Sequence, residues 1–337
     1  MSGLILKDKI AEIQKLIEKN KSISIISHFN PDGDAIGAVL AMYHYLKTLP
    51  GKTLNMYVPD DFPDYLKWMP ESEKIYICDK NNVKALEEIK KSDLIFFLDF
   101  NHTSRIPCLR ETVLNLNADK ILIDHHPKPE QFANIIISET KVSSTSELLF
   151  TIIKELGGKI TIPIAECLFT GIMTDTGGFS HNSSNYGTYE IVANLLKTGI
   201  NKNHIFDNIY HNYSADRMKL MGYCLHSKMK VFPEYQTAYI SLTKKELEEF
   251  NFKTGDTEGF VNMPLSIKGI KASALFIEKD NMIKTSFRSK GDLAINEIAR
   301  KYFNGGGHKN AAGGEYYGTM EETVKRFIEI MPEIHKK

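Results

Sequence analysis

The chain has 337 residues, 42 Lys+Arg against 42 Asp+Glu, and 42% hydrophobic residues. That balance excludes a protein that grips long duplex nucleic acid through a broad basic surface, because such binding rests on many phosphate contacts. No apolar run approaches the roughly 20 residues needed to cross a bilayer, so membrane association is not expected either.

The length suits two domains, each with its own core. The start, Met1 to Asp8, lacks the basic stretch and long apolar segment of a secretory signal. Cys78, Cys108, Cys167 and Cys224 are widely spaced and form no CxxC pair. Both observations predict a cytoplasmic protein with reduced thiols and no structural zinc.

In the first half, β-branched runs alternate with amphipathic helical stretches. Strands are predicted at 22–27, 53–58, 94–98, 120–123 and 134–137, and helices at 5–18, 35–48, 83–90, 144–156, 163–173 and 188–197. This order predicts an α/β domain with a parallel sheet covered by helices on both faces. Ligands of such sheets gather at the carboxyl ends of the strands. From about residue 201 the pattern changes. Helices at 203–209 and 215–231 suggest a connector, followed by strands at 237–242, 270–278, 282–289 and 314–317 and helices at 244–250, 292–302 and 321–330. The expected organisation is a catalytic domain over 1–200, a helical connector over 201–231 and a smaller α/β domain over 232–337, with a cleft between the domains.

Four segments repeat one layout, an apolar run ending in metal-type ligands. Asp124, His125 and His126 follow Ile121-Leu122-Ile123; His28, Asp32 and Asp34 follow Ile23-Ser24-Ile25-Ile26; Asp99 follows Leu94 to Leu98; Asp175 follows Gly171-Ile172-Met173. Taken singly, Asp32 and Asp34 beside Pro31 and Gly33 read equally well as turn residues. Asp99 alone reads as a cap or loop residue, Asp175 as turn chemistry, and His28 as a satisfied structural histidine. The joint pattern points to metal. Asp32 and Asp34 bracket Gly33 in a turn, so both carboxylates are expected to converge on a centre. The candidate ligands are His28, Asp32, Asp34, Asp99, His125 and Asp175. Six ligands suit two ions better than one, and two imidazoles among four carboxylates suit Mn²⁺, with Mg²⁺, Co²⁺ or Fe²⁺ as alternatives.

A second candidate site lies near the C-terminus. Gly305-Gly306-Gly307 would let backbone N–H groups approach an anion, His308 adds a donor, and Arg288 supplies a planar fork for phosphate. Lys309 and Asn310 are weaker candidates. Arg105 reads as a solvated surface charge that could also reach a phosphate.

These segments, in this order, resemble the motifs of the DHH phosphoesterase superfamily. The triplet is Asp124-His125-His126; the others are HFNPDGDAIGA from His28, FLDF around Asp99 and TGIMTDTGG around Asp175. Residues 285–289 and GGGHKNAAGG, Gly305 to Gly314, resemble the DHH-associated domain of the nanoRNase and pAp-phosphatase branch. Ala38, where many relatives have Ser, and Asn101-His102 depart from the pattern without removing a ligand. The resemblance implies metal ligation by the six residues named above, contact of His126 with the scissile phosphate, and support of the triplet by Asp124. It implies clamping of a terminal phosphate or base by Arg288, Gly306, Gly307 and His308. The activity implied is a two-metal, Mn²⁺-dependent phosphohydrolase that cuts short oligoribonucleotides to mononucleotides and pAp to AMP and phosphate. A cyclic di-AMP or pApA phosphodiesterase uses the same parts and is the alternative. A nucleotide-binding protein without turnover is the alternative from another class, and retention of every ligand argues against it. Oligomeric state is left open, a homodimer included.

Overall fold

The computed structural model of the protein describes residues 3–78 and 83–334; the outermost residues of the two expected domains lie outside these. The chain divides into two compact units, Met1–Asn212 and Tyr213–Lys337. Of the two helices expected as a connector, the one at 203–209 falls in the first unit and the one beginning at 215 in the second. No helix among the described residues is long and apolar enough to cross a membrane.

The first unit runs α1 (Gly3–Lys19), β1 (Ser22–Ile26), α2 (Gly33–Lys47), β2 (Thr53–Val58), β3 (Ile75–Ile77), α3 (Val83–Ile89), β4 (Leu94–Leu98), α4 (Arg110–Asn115), β5 (Asp119–Asp124), β6 (Ile135–Ser138), α5 (Thr145–Glu155), α6 (Ile162–Asp175), α7 (Tyr186–Leu196) and α8 (Lys202–Tyr210). Its six strands form one sheet in the order β3-β2-β1-β4-β5-β6, parallel at every pairing. Strands buried on both faces are apolar throughout, and all five residues of β4 are buried. Leu94, Phe96 and Leu98 join one core with Ile13 of α1, Leu40 of α2, Leu149 of α5 and Leu168 of α6. Ile95 and Phe97 point to the opposite core, with Ile89 of α3 and Val113 of α4. The parallel sheet with helices on both faces is therefore as expected. The expected strands omitted β3, whose three residues are too few to show a period, and the expected helices omitted the six-residue α4.

Strand order reverses beside β1. The chain leaves β1 for β2 on one side and returns to β4 on the other. That reversal opens a crevice outside the carboxyl ends of β1 and β4, the usual ligand position in such sheets.

Close crossing of α2 and α6 depends on two glycines. A Cβ at Gly37 would lie 2.6 Å from the Cys167 carbonyl oxygen, and one at Gly171 would run into the Ser146 side chain and lie 2.8 Å from Asp34 Oδ1. Gly171→Ala is therefore expected to destabilise the protein by about 1–3 kcal/mol through overpacking, read as a lower denaturant midpoint at unchanged slope. An unchanged midpoint would show that this crossing relaxes without cost.

The second unit runs α9 (Ala215–Tyr223), β7 (Lys230–Phe232), β8 (Thr237–Leu242), α10 (Lys244–Glu249), β9 (Ala272–Glu278), β10 (Ile283–Ser289), α11 (Ile295–Tyr302), β11 (Gly306–His308), β12 (Ala311–Tyr316) and α12 (Met320–Ile334). Its sheet has the order β11-β12-β10-β9-β8-β7; β8 and β9 pair parallel and the other neighbours antiparallel. One face packs Phe276 and Phe287 against Ile295 and Phe303 of the α11 segment and Phe327 of α12. The other packs Leu275 and Ile277 against Leu220 of α9 and Leu247 of α10. The single helix expected over 215–231 is corrected here. After Tyr223 the turn widens, with Met229 N–H donating to the Cys224 carbonyl oxygen at 2.8 Å, and Lys230–Phe232 then pairs with β8. Apolar residues at helical spacing concealed this change, because strand pairing to a distant segment leaves no local mark.

Candidate metal centre

The carboxyl ends of three adjacent strands, β1, β4 and β5, deliver His28, Asp99 and the Asp124-His125-His126 triplet. Ser27 Oγ donates to the Leu98 carbonyl oxygen at 2.8 Å, and Asp99 N–H donates to that of Ile123 at 3.1 Å. These bonds fix the three strand ends against one another. Asp99 adopts φ +67°, a left-handed conformation that costs a non-glycine residue energy and concentrates at functional sites.

The helices add the remaining carboxylates. Asp32 caps α2, its Oδ1 accepting from Asp34 N–H and Ala35 N–H at 3.1 Å. Asp34, one residue inside the helix, is 1% exposed. It accepts at Oδ2 from Thr145 N–H at 2.7 Å and at Oδ1 from Ser146 N–H at 2.9 Å. Those donors belong to the first turn of α5, whose N-terminal N–H groups lack partners within the helix. Asp175 is the last residue of α6, which runs two residues past the helix end expected at 173.

Ligand atoms of His28, Asp32 and Asp99 lie within 4.8 Å of one another, as do those of Asp34, His125 and Asp175, and those of Asp99, Asp124 and His126. The expectation that Asp32 and Asp34 share one centre is thereby corrected. Capping turns Asp32 back toward its own helix and His28, while α5 draws Asp34 toward His125. Asp99 spans the two groups, its Oδ2 3.5 Å from His28 Nε2 and its Oδ1 3.5 Å from His125 Nε2. His125 Nε2 is also 3.9 Å from Asp34 Oδ2 and 3.6 Å from Asp175 Oδ2.

These separations exceed those of good hydrogen bonds. They lie at or just beyond the spacing of donors around a small divalent ion, since bonds of about 2.1 Å place neighbouring ligands about 3–3.5 Å apart. The electrostatics agree. Burial first, then the Arg105 charge, lowers the His28 pKa to about 4, so its imidazole is neutral and able to ligate at neutral pH. Burial, with Asp32 adding, raises Asp34 to about 6. Burial and then the charges of Asp34, Asp32, Asp124 and Asp175 raise Asp99 well above the ordinary range. A cluster this rich in buried carboxylate is costly without a cation, and the donor set of imidazole and carboxylate fits a divalent ion.

His126 borders both groups, its Nδ1 3.9 Å from Asp99 Oδ1. Its Nδ1 lies 2.7 Å from Asp124 Oδ1, and its side chain is 26% exposed where Asp124 is fully buried. Arg105, read from sequence as a surface charge, places a guanidinium nitrogen 2.9 Å from His28 Nδ1, and that same ring nitrogen is 2.9 Å from the Phe29 carbonyl oxygen. Thr145 and Ser146 were missed as site residues. Ser144 followed by Glu147 marked a helix start, and Ser144 Oγ indeed accepts from Glu147 N–H, but nothing local says that this helix end points at Asp34.

In the second unit Arg288 lies on β10, half-buried, with Nη1 donating to its own neighbour's carbonyl, that of Phe287, at 3.0 Å. Gly306, Gly307 and His308 form β11, paired with β12. Lys309 is paired with Asp292 at 2.7 Å, and Asn310 donates to Ser289 Oγ and to the Gly291 and Leu293 carbonyl oxygens.

Known proteins resemble this chain over both units. The model of the DHH family N-terminal domain matches residues 22–172, and that of the DHHA1 domain matches residues 234–337. The Bacillus subtilis bifunctional oligoribonuclease and PAP phosphatase NrnA is 28% identical over 314 residues, covering 92% of this chain and 94% of its own. The Thermus thermophilus protein of the same name is 28% identical over 96% of this chain and 93% of its own. The crystal structure of an exopolyphosphatase-related protein from Bacteroides fragilis is 46% identical and covers 98% of both chains at a TM-score of 0.91. The chain belongs to the DHH family, in the branch that joins the DHH N-terminal domain to a DHHA1 domain and includes these NrnA relatives.

Proposed function

We propose that this chain is a two-metal phosphohydrolase that degrades short oligoribonucleotides to mononucleotides and removes phosphate from pAp to give AMP. Asp99 carries the reading: its two carboxylate oxygens face different imidazoles, each 3.5 Å away, as suits a bridge between two cations. His28, Asp32 and Asp99 would hold one ion, and Asp34, His125, Asp175 and Asp99 the second. Mn²⁺ suits this mixed donor set, with Mg²⁺ or Co²⁺ as alternatives. When bound, such ions lower the pKa of water and offset charge on phosphoryl oxygens. The relatives that bear the oligoribonuclease and PAP phosphatase name match over 92% and 96% of this chain, which supports the substrate class. Residues 1–200 supply catalysis and 232–337 substrate binding, linked through 201–231, and the protein acts in the cytoplasm.

The protein's own groups position the phosphate. Asp124 Oδ1 orients the His126 ring through Nδ1, which leaves Nε2 to face a phosphoryl oxygen of the substrate. Arg288 presents a planar fork to a terminal phosphate, with Gly306, Gly307 and His308 beside the strand it pairs through. His126→Ala is expected to lower kcat by about 10²–10³-fold while leaving metal binding intact. Loss of a bound ion in that variant would make His126 a ligand instead.

The test is a hydrolysis panel in Mn²⁺ with a ribodinucleotide, pAp, cyclic di-AMP, pApA, pyrophosphate and a short polyphosphate. The dinucleotide and pAp are expected to turn over fastest, and a chelator to stop both. Turnover confined to cyclic di-AMP or pApA would move the chain to second-messenger degradation. Tight binding without cleavage of any member would overturn the hydrolase reading.

A further inference from the structure

Thr145 hydrogen-bonds Asp34 and also Asp99, the carboxylate that spans the two ligand groups. It is the first residue of α5 and is fully buried. Its N–H donates to Asp34 Oδ2 at 2.7 Å and its Oγ1 donates to Asp99 Oδ1 at 2.8 Å. The second bond matters because of what Asp99 is asked to do. Its carboxylate must present one oxygen to the His28 side and the other to the His125 side. Rotation of an aspartate carboxylate about its last torsion is soft and roughly two-fold, so the backbone alone does not hold the plane. A β-branched residue at a helix start is stiff about its first torsion, and Thr145 brings its hydroxyl to Asp99 from an element that also anchors Asp34.

We infer that Thr145 is a positioning residue that locks the Asp99 carboxylate plane across both ligand groups and so couples the two ions. The inference rests on the metal reading above. Outer partners of ligating groups are worth about 10–100-fold in metal affinity, and Thr145 should fall in that range. Its loss should separate the ions more than it weakens either group's own ligands.

The experiment uses the full chain, wild type and with Thr145→Val and Thr145→Ser. Mn²⁺ binding is followed by titration calorimetry, and low-temperature electron paramagnetic resonance reads magnetic coupling between the two ions. Thr145→Val is expected to weaken the second Mn²⁺ by about 10–100-fold and to lose the coupled signal, whereas Thr145→Ser retains both. Circular dichroism checks folding, and Thr145→Ala, which asks less of the packing, replaces Val if that variant does not fold. Wild-type-like binding and coupling in Thr145→Val would overturn the inference. So would a Ser variant as impaired as Val, because the methyl rather than the hydroxyl would then matter. Failure of the wild type itself to bind a coupled pair would bring down the metal reading and the inference together, and is told apart because no substitution is involved.

Discussion

Asp99→Asn is expected to lower kcat on the dinucleotide by at least about 10³-fold and, in the metal-free protein at neutral pH, to raise the melting temperature. The two effects share one cause. Asp99 is 2% exposed, and burial together with the charges of Asp34, Asp32, Asp124 and Asp175 pushes its carboxyl well above the ordinary range. A group whose folded pKa is raised in this way lends stability at low pH and loses it as pH rises through the folded value. The neutral amide removes that loss, and each kcal/mol regained is worth about 2–4 °C in a domain of this size. The amide also removes the anionic oxygen that spans the two groups, so hydrolysis falls.

Asn is the informative substitution because it tolerates φ +67° and keeps an oxygen for Thr145 Oγ1. Asp99→Ala should instead lose stability, since it adopts the left-handed region poorly and leaves the Thr145 hydroxyl without its acceptor. The checks are scanning calorimetry in chelator and steady-state hydrolysis in Mn²⁺. A metal-free Asn variant that melts no higher than wild type would show that the buried Asp99 carboxyl costs the metal-free fold nothing. An active Asn variant would remove Asp99 from the bridge.

The convergence of His28, Asp99 and the Asp124-His125-His126 triplet was legible because parallel strands share a carboxyl edge; alternation of strand and helix suffices to put all three there. What escaped notice depends on contacts distant in sequence. Asp32 and Asp34 stand two residues apart, and local turn chemistry suggested one shared centre. Their separation follows from a cap and from α5, whose Thr145 lies 111 residues beyond Asp34. Arg105 looked like surface charge because the short turn beginning at Thr103 that returns it to His28 has no hydrophobic period. No strand was expected at the glycine run, since β11 is recognisable as a strand only through its pairing with β12. The helix over 215–231 failed in the same way at β7.

Mn²⁺ binding should strengthen as pH rises, and the stabilisation it confers should grow with it. Asp34 titrates at about 6 in the metal-free fold, so below that value a proton competes with the ion. Each bound proton that must be displaced weakens affinity by about tenfold per pH unit below the folded pKa. Asp99, raised by burial and then by its neighbours' charges, adds to this dependence. His28 acts in the opposite sense. Its pKa, lowered from an ordinary 6.5 to about 4, makes it a source of stability that is lost as pH falls through that interval. Above about pH 6.5 that contribution is complete and only the carboxylates still change. Above the range in which His28 changes, the metal-free protein should therefore lose stability as pH rises through the raised Asp99 value, while the Mn²⁺-saturated protein, whose carboxylate charge is met, should not. Paired melting curves with chelator and with saturating Mn²⁺ measure the gap. Calorimetric titration at pH 5.5 in two buffers of different ionisation enthalpy counts the protons, with release of at least one expected. A gap that narrows with rising pH would mean that the buried carboxylates are neutralised by a group of the protein, and that the cluster does not depend on a cation for its charge.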